Sequence, residues 1–276
     1  MADELPDVDS HDSDIYAPPR SGEMKLVQFA SAQGVARLTL NRPPANVMSV
    51  EMMEEIVSAL EALEYQRDVK LLVINASGKY FSAGFELSDH LGDRAYVMLE
   101  DFHRLFDLLR RVDKPTLAVV NGPALGAGCM LAAGCDMTLS AASAKFALPE
   151  IKGGVFNTVA AAVLPRIVGR KKAFEMILGG LSLTAEAAER AGLISRVVPD
   201  DKLEAEVAAV VQRFQDGSAP LLQCAKRAIA GGLDVLLSDA LTFAEDVYLN
   251  QLMATEDVAE GLKAVLGKRK PVWKDR

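Results

Sequence analysis

Two short glycine-bearing segments, each placed just after a buried-strand pattern, constrain this chain more than any other feature. Leu117-Ala118-Val119-Val120 is an apolar run of strand length, and Asn121-Gly122-Pro123-Ala124-Leu125-Gly126-Ala127-Gly128-Cys129-Met130 follows it directly. Leu131-Ala132-Ala133 then reads as a short apolar helix. Small residues between strand and helix let the main chain approach a ligand, with the free N–H groups of a helix N-terminus facing it. Phe81-Ser82-Ala83-Gly84-Phe85 stands in the same relation to the strand Leu71-Leu72-Val73-Ile74. Two backbone N–H groups from separate loops, aimed at one carbonyl oxygen, stabilise an enolate or a tetrahedral anion. The pattern therefore predicts an α/β core carrying an oxyanion hole.

The surrounding elements fit that core. Lys25–Phe29 and Val35–Leu40 read as strands of a hairpin turning on Ala32-Gln33-Gly34. Ser49 caps a helix to about Glu64, with Met52, Met53, Ile56, Leu60 and Leu63 on one face. Val69–Asn75, Met137–Leu139 and Ile194–Val198 are further strands; Tyr96–Val112, 158–167, 170–179 and 184–191 are helices. A strand–strand–helix theme recurs and suits a spiral of ββα units, although the letters themselves do not repeat. Everything after Asp201 reads as helix, at 201–215, 219–230, 235–253 and 256–266. Residues 23–200 are thus expected to form the core and 201–276 a helical region. Residues 1–22 hold Asp3, Glu4, Asp7, Asp9, Asp12 and Asp14 with little apolar surface, and are expected to be a mobile acidic tail.

Half of the 276 residues are hydrophobic, enough for one large domain. No apolar run approaches the roughly 18–20 residues of a membrane span, and a basic-then-apolar leader is not seen. Cys129, Cys135 and Cys224 are scattered in apolar segments, as expected of reduced core thiols in a cytoplasmic protein. No Cys or His pair has metal-ligand spacing, so no metal is expected. A net charge of −8 argues against a general nucleic-acid surface.

Leu148-Pro149-Glu150-Ile151 completes a set. Phe81-Ser82-Ala83-Gly84-Phe85, Gly126-Ala127-Gly128 and Pro149-Glu150, in this order and at these separations, resemble the crotonase (enoyl-CoA hydratase/isomerase) superfamily. The likeness runs from about residue 24 through Leu193-Ile194-Ser195-Arg196-Val197-Val198 to Lys268-Arg269-Lys270. It implies a ββα spiral core, a C-terminal helical oligomerisation region that builds trimers or hexamers, and an acyl-CoA thioester as substrate. No separate cofactor is implied, coenzyme A being part of the substrate. Residue by residue, the resemblance implies that the Phe85 and Ala127 N–H groups hold the thioester oxygen. It implies that Glu150 exchanges a proton with a substrate carbon, and that Ala45, Val47 and Ala83 offer backbone to CoA. Lys268 matches a lysine that reaches the nucleotide phosphates of a neighbouring subunit.

Glu150 sits among Phe146, Ala147, Leu148, Ile151 and Val155, so desolvation should favour its protonated form and poise it for proton transfer. Met130 departs from the pattern, because the family's hydratases usually carry a second glutamate there. One carboxylate suits an isomerase, which takes a proton from one carbon and returns it to another. A finer likeness pulls the other way. Pro149-Glu150-Ile151, Gly154-Val155-Phe156, Leu164-Pro165, Tyr248-Leu249 and Glu260-Gly261-Leu262-Lys263 resemble the cyclic dienoyl-CoA (cyclohexa-1,5-diene-1-carbonyl-CoA) hydratases. Met130, Asn157 and Tyr248 are candidates for the acyl pocket, and the Phe85 ring should narrow it. Asn157 either orients a water or ring oxygen or caps the helix starting at Thr158, and Tyr248 alternatively reads as a buried core aromatic. His90 reads as a solvated loop residue and His103 as a packed helix flank. Three functions stay open: enoyl-CoA hydration, double-bond isomerisation, and CoA-ester binding without catalysis.

Overall fold

The computed structural model describes residues 24–276; the acidic stretch 1–22 lies outside the described residues. Strands β1 (Val27–Ala32) and β2 (Val35–Leu40) pair antiparallel. Their turn rests on Gln33 and Gly34, both at positive φ (51° and 74°), as a two-residue primed turn requires. Ser49 caps α1 (Val50–Glu64), its hydroxyl accepting the Met52 N–H at 3.4 Å. The chain then alternates through β3 (Leu71–Ala76), α2 (Arg94–Arg111) and β4 (Thr116–Val120). There follow β5 (Ala124–Leu125), α3 (Ala127–Gly134), β6 (Met137–Ala141) and β7 (Lys145–Ala147). The core closes with α4 (Thr158–Ile167), α5 (Arg170–Gly179), β8 (Ser182–Thr184), α6 (Ala185–Arg190) and β9 (Arg196–Val198).

The main sheet runs β1-β2-β3-β4-β6-β9, parallel from β2 onward. Parallel strands are covered on both faces, and the alternation along them shows how. Leu72, Ile74, Ala118 and Val120 face the core shared with α1, α2 and α3. Leu71, Val73, Leu117 and Val119 face the other way, onto Leu203, Val207, Val210 and Val211 of α7 (Leu203–Gln215). A second small sheet, β5-β7-β8, was not expected from the sequence. Its strands have two or three residues, too few for an alternation to register.

After α7 come α8 (Ala219–Gly232), α9 (Leu237–Asp246) and α10 (Glu256–Leu266). The helix expected over 235–253 is interrupted. A π turn (Val247–Gln251) and a 3-10 turn (Leu252–Ala254) follow α9, until the extended Thr255 ends the run and caps α10. The last ten residues fold back as a strap. The carboxylate of Asp257, wholly buried, accepts the N–H groups of Lys274 (2.8 Å) and Asp275 (3.0 Å). Asp275 in turn pairs with Lys70 on the core at 3.0 Å, and its carboxylate accepts the first N–H of α8, from Ala219. Trp273 donates its indole N–H to the Asp216 carbonyl. Among the described residues, no helix is long and apolar enough to cross a membrane.

Candidate active site

The loops leaving the C-terminal ends of β3 and β4 are laced together. Phe81 and Ser82 donate their N–H groups to the Pro123 carbonyl, and Leu125 donates to the Ser82 carbonyl at 2.8 Å. Met48 and Phe85 form a second bridge from the start of α1. Glycine permits this closeness at two points. A Cβ on Gly128 would lie 2.5 Å from the Ser82 Cβ, so α3 packs directly on the first loop. Gly126, the residue before α3, has φ 53° and ψ −123°, a conformation that is essentially glycine's own.

Two N–H groups emerge from this lacing. Ala127 is the first residue of α3, so its N–H has no intrahelical carbonyl to reach. Among the described residues neither that group nor the Phe85 N–H has a backbone or side-chain acceptor. The two loops meet closely: a Cβ on Gly84 would lie 3.2 Å from the Leu125 carbonyl oxygen and 3.6 Å from the Gly126 Cα. Two unpaired donors so placed, one at a helix N-terminus, are suited to an oxyanion.

Glu150 follows β7 in a 3-10 turn (Pro149–Gly153) and reaches back to the same place. A Cβ on Gly126 would lie 2.7 Å from Glu150 Oε1, so the carboxylate rests on the Gly126 backbone, one residue from the Ala127 N–H. Burial pushes the carboxyl above the usual carboxylate range, opposed by hydrogen bonds from its own backbone and from Asn157. Asn157 Nδ2 donates to Oε1 at 3.2 Å, while Oε2 is buried without a protein partner among the described residues. Asn157 Oδ1 accepts the Ala160 N–H at 2.9 Å and so caps α4. Neither helix capping nor the orienting of a water or ring oxygen includes the bond from Asn157 to Glu150. A separation of seven residues across a turn belongs to neither helical nor strand periodicity.

The other candidates divide. Met130 is wholly buried, one turn into α3, within the main apolar core. The Phe85 ring packs edge-on against Phe102 of α2, centroids 4.7 Å apart, and against His90 at 5.6 Å. His90 is therefore a half-buried partner of that ring, not a solvated residue. His103 is exposed rather than packed on a flank, because its Nε2 reaches across to Thr158 Oγ1 at 2.9 Å. Ala45 and Ala83 are joined, the Ala83 N–H donating to the Ala45 carbonyl, and the Val47 carbonyl accepts from Arg42 Nη1. Tyr248 is 55 % exposed, not a core aromatic, since the π turn carries it onto the outer side of the C-terminal helices. Within Lys268-Arg269-Lys270, Arg269 is held by both oxygens of Glu260, whereas Lys268 and Lys270 have no carboxylate partner among the described residues. Cys129, Cys135 and Cys224 are free and buried.

Comparisons with known proteins place the chain among relatives of one family. The family model described as enoyl-CoA hydratase/isomerase matches residues 30–276. A probable enoyl-CoA hydratase of Mycobacterium bovis is 37% identical over 88% of this chain and 96% of its own length. A 2,3-dehydroadipyl-CoA hydratase of Escherichia coli is 38% identical over 88% of this chain and 96% of its own. Among solved structures, an enoyl-CoA hydratase of Mycobacterium smegmatis matches with a TM-score of 0.86 at 31% identity. It covers 91% of this chain and 99% of that one.

Proposed function

The chain belongs to the enoyl-CoA hydratase/isomerase family, the crotonase superfamily, and from that premise we propose that it hydrates the double bond of an enoyl-CoA with Glu150 as its proton carrier. One observation carries this reading: the Glu150 carboxylate rests on Gly126, the residue beside the Ala127 oxyanion donor. The carbon next to a thioester carbonyl is one bond from the carbonyl carbon. A base that touches the oxyanion hole therefore stands at the α carbon of a thioester bound there. Glu150 takes a proton from water as its oxygen bonds to the β carbon. The π electrons move to the thioester oxygen, held by the Phe85 and Ala127 N–H groups, and the carboxyl then protonates the α carbon. The names of the relatives support hydration. The buried Met130 favours a second reading, double-bond isomerisation, because only Glu150 then has to carry the proton between two carbons.

The substrate reading leaves a linear or a cyclic acyl group. Backbone at Ala45, Val47 and Ala83 receives CoA, and Lys268 reaches the phosphates of a neighbour's ligand in a trimer or hexamer. The test is a panel of linear, branched and cyclic enoyl-CoAs in water labelled with heavy oxygen and deuterium, read by mass spectrometry. Hydration places labelled oxygen in the product, isomerisation gives a product of unlabelled oxygen content that chromatography separates from the substrate, and a CoA-ester-binding subunit changes none of them. Glu150→Gln is expected to lower turnover at least about 10²-fold while keeping ester affinity, since it removes the proton carrier at constant shape. Unchanged turnover in that variant would remove Glu150 from the mechanism.

A further inference from the structure

We infer that Asn157 is a positioning residue for Glu150: its amide holds Oε1 in place and leaves Oε2 as the oxygen that transfers the proton. The inference rests on the enolate reading above and adds to it the choice of oxygen. The direction of the amide follows from its own contacts. A backbone N–H can only donate, so the Asn157 oxygen is the atom facing Ala160 at 2.9 Å, and the Nδ2 group must face Glu150. Asn157 is 3 % exposed and has no room to swing into solvent. Its helix is fixed in turn, because Thr158 Oγ1 meets His103 of α2 at 2.9 Å. The same α2 supplies Phe102 behind the Phe85 ring.

Oε1 thereby accepts the Asn157 N–H at 3.2 Å and packs against Gly126. A carboxyl oxygen that accepts a hydrogen bond is a poor place for the proton. The proton therefore resides on Oε2, which is buried with no protein partner among the described residues. An N–H donor also favours the ionised carboxylate and so counters part of the effect of burial. Asn157 thus keeps Glu150 able both to give up its proton and to recover it.

The test uses substitutions that separate this role from helix capping. Ser and Asp are as good as Asn at the N-cap position, so Asn157→Ser and Asn157→Asp keep the cap of α4. Serine is too short to donate to Glu150, and aspartate adds a like charge beside it. On the fastest enoyl-CoA of the panel, Asn157→Ser is expected to lose at least about tenfold in kcat with KM little changed, the scale of a hydrogen bond to a charged group. The pH limb of kcat due to Glu150 should move to higher pH in Asn157→Ser and further in Asn157→Asp. An NMR titration of carbon-labelled glutamate, with Glu150→Gln identifying the resonance, should give the same order without substrate. A shared titration position in all three proteins would overturn the inference, as would equal kcat. Destabilisation of Asn157→Ala alone would then mark Asn157 as a helix cap only. Full turnover by Glu150→Gln would instead defeat the enolate reading, whatever the Asn157 variants do.

Discussion

Met130 lies in surroundings that disfavour a carboxylate. The side chain is wholly buried in the apolar core one turn from Gly126. A carboxylate there would lose its water without gaining a partner. Met130→Glu is therefore expected to cost at least about 2 kcal/mol, or roughly 4–8 °C in Tm for a domain of this size, and to weaken use of the native substrate. A gain on crotonyl-CoA with unchanged Tm would show instead that the position tolerates charge. Glu150 obeys the same logic in milder form. Its folded-state pKa is raised by burial, so the stability of the protonated form is fully present at low pH and is lost as pH rises through the raised value. Glu150→Gln cannot ionise, and it should gain in Tm over the unaltered protein above that value and not below the ordinary carboxylate range. Thermal unfolding across the acidic to neutral range checks this sign.

The strand-to-helix junction ending at Gly126 performs three tasks with one backbone. It turns the chain at a φ and ψ foreign to other residues, it starts α3 so that the Ala127 N–H is left over, and it gives Glu150 a surface to rest on. Gly126→Ala should break all three, because its Cβ would stand 2.7 Å from Oε1 in a strained backbone. A loss of about 1–3 kcal/mol in stability is expected, with at least about 10² lost from kcat, measured by denaturant unfolding and steady-state kinetics. This junction was legible in the letters because small residues between an apolar strand and helix have few other uses. The Ser49 cap and the 3.6-residue stripe of α1 were equally legible. What escaped was contact at long or irregular separation. The second sheet joins pieces of two and three residues, and the Asn157–Glu150 bond crosses a turn. The histidines and Tyr248 were misplaced for a related reason, since their positions depend on what another element brings opposite them.

At the scale of the molecule, the C-terminal helices present more apolar surface than one subunit covers. Leu236 and Leu237 are 73 % and 75 % exposed, and Leu241, Leu249, Leu262, Val265 and Leu266 are exposed with them. Apolar faces of this extent are expected to be buried between copies of the chain, as a trimer or hexamer. Sedimentation at micromolar concentration checks this, and a monomer would also remove the cross-subunit role proposed for Lys268. Those helices were readable as apolar stripes, but no periodicity reveals which copy a stripe will face. The strap raises a different matter, one of time. Lys70 bonds both the Gln215 carbonyl, 145 residues along the chain, and the Asp275 carboxylate. Ring closures of that span carry a large loop entropy, so the strap docks on Lys70 late, after the local contacts of the sheet and helices have formed.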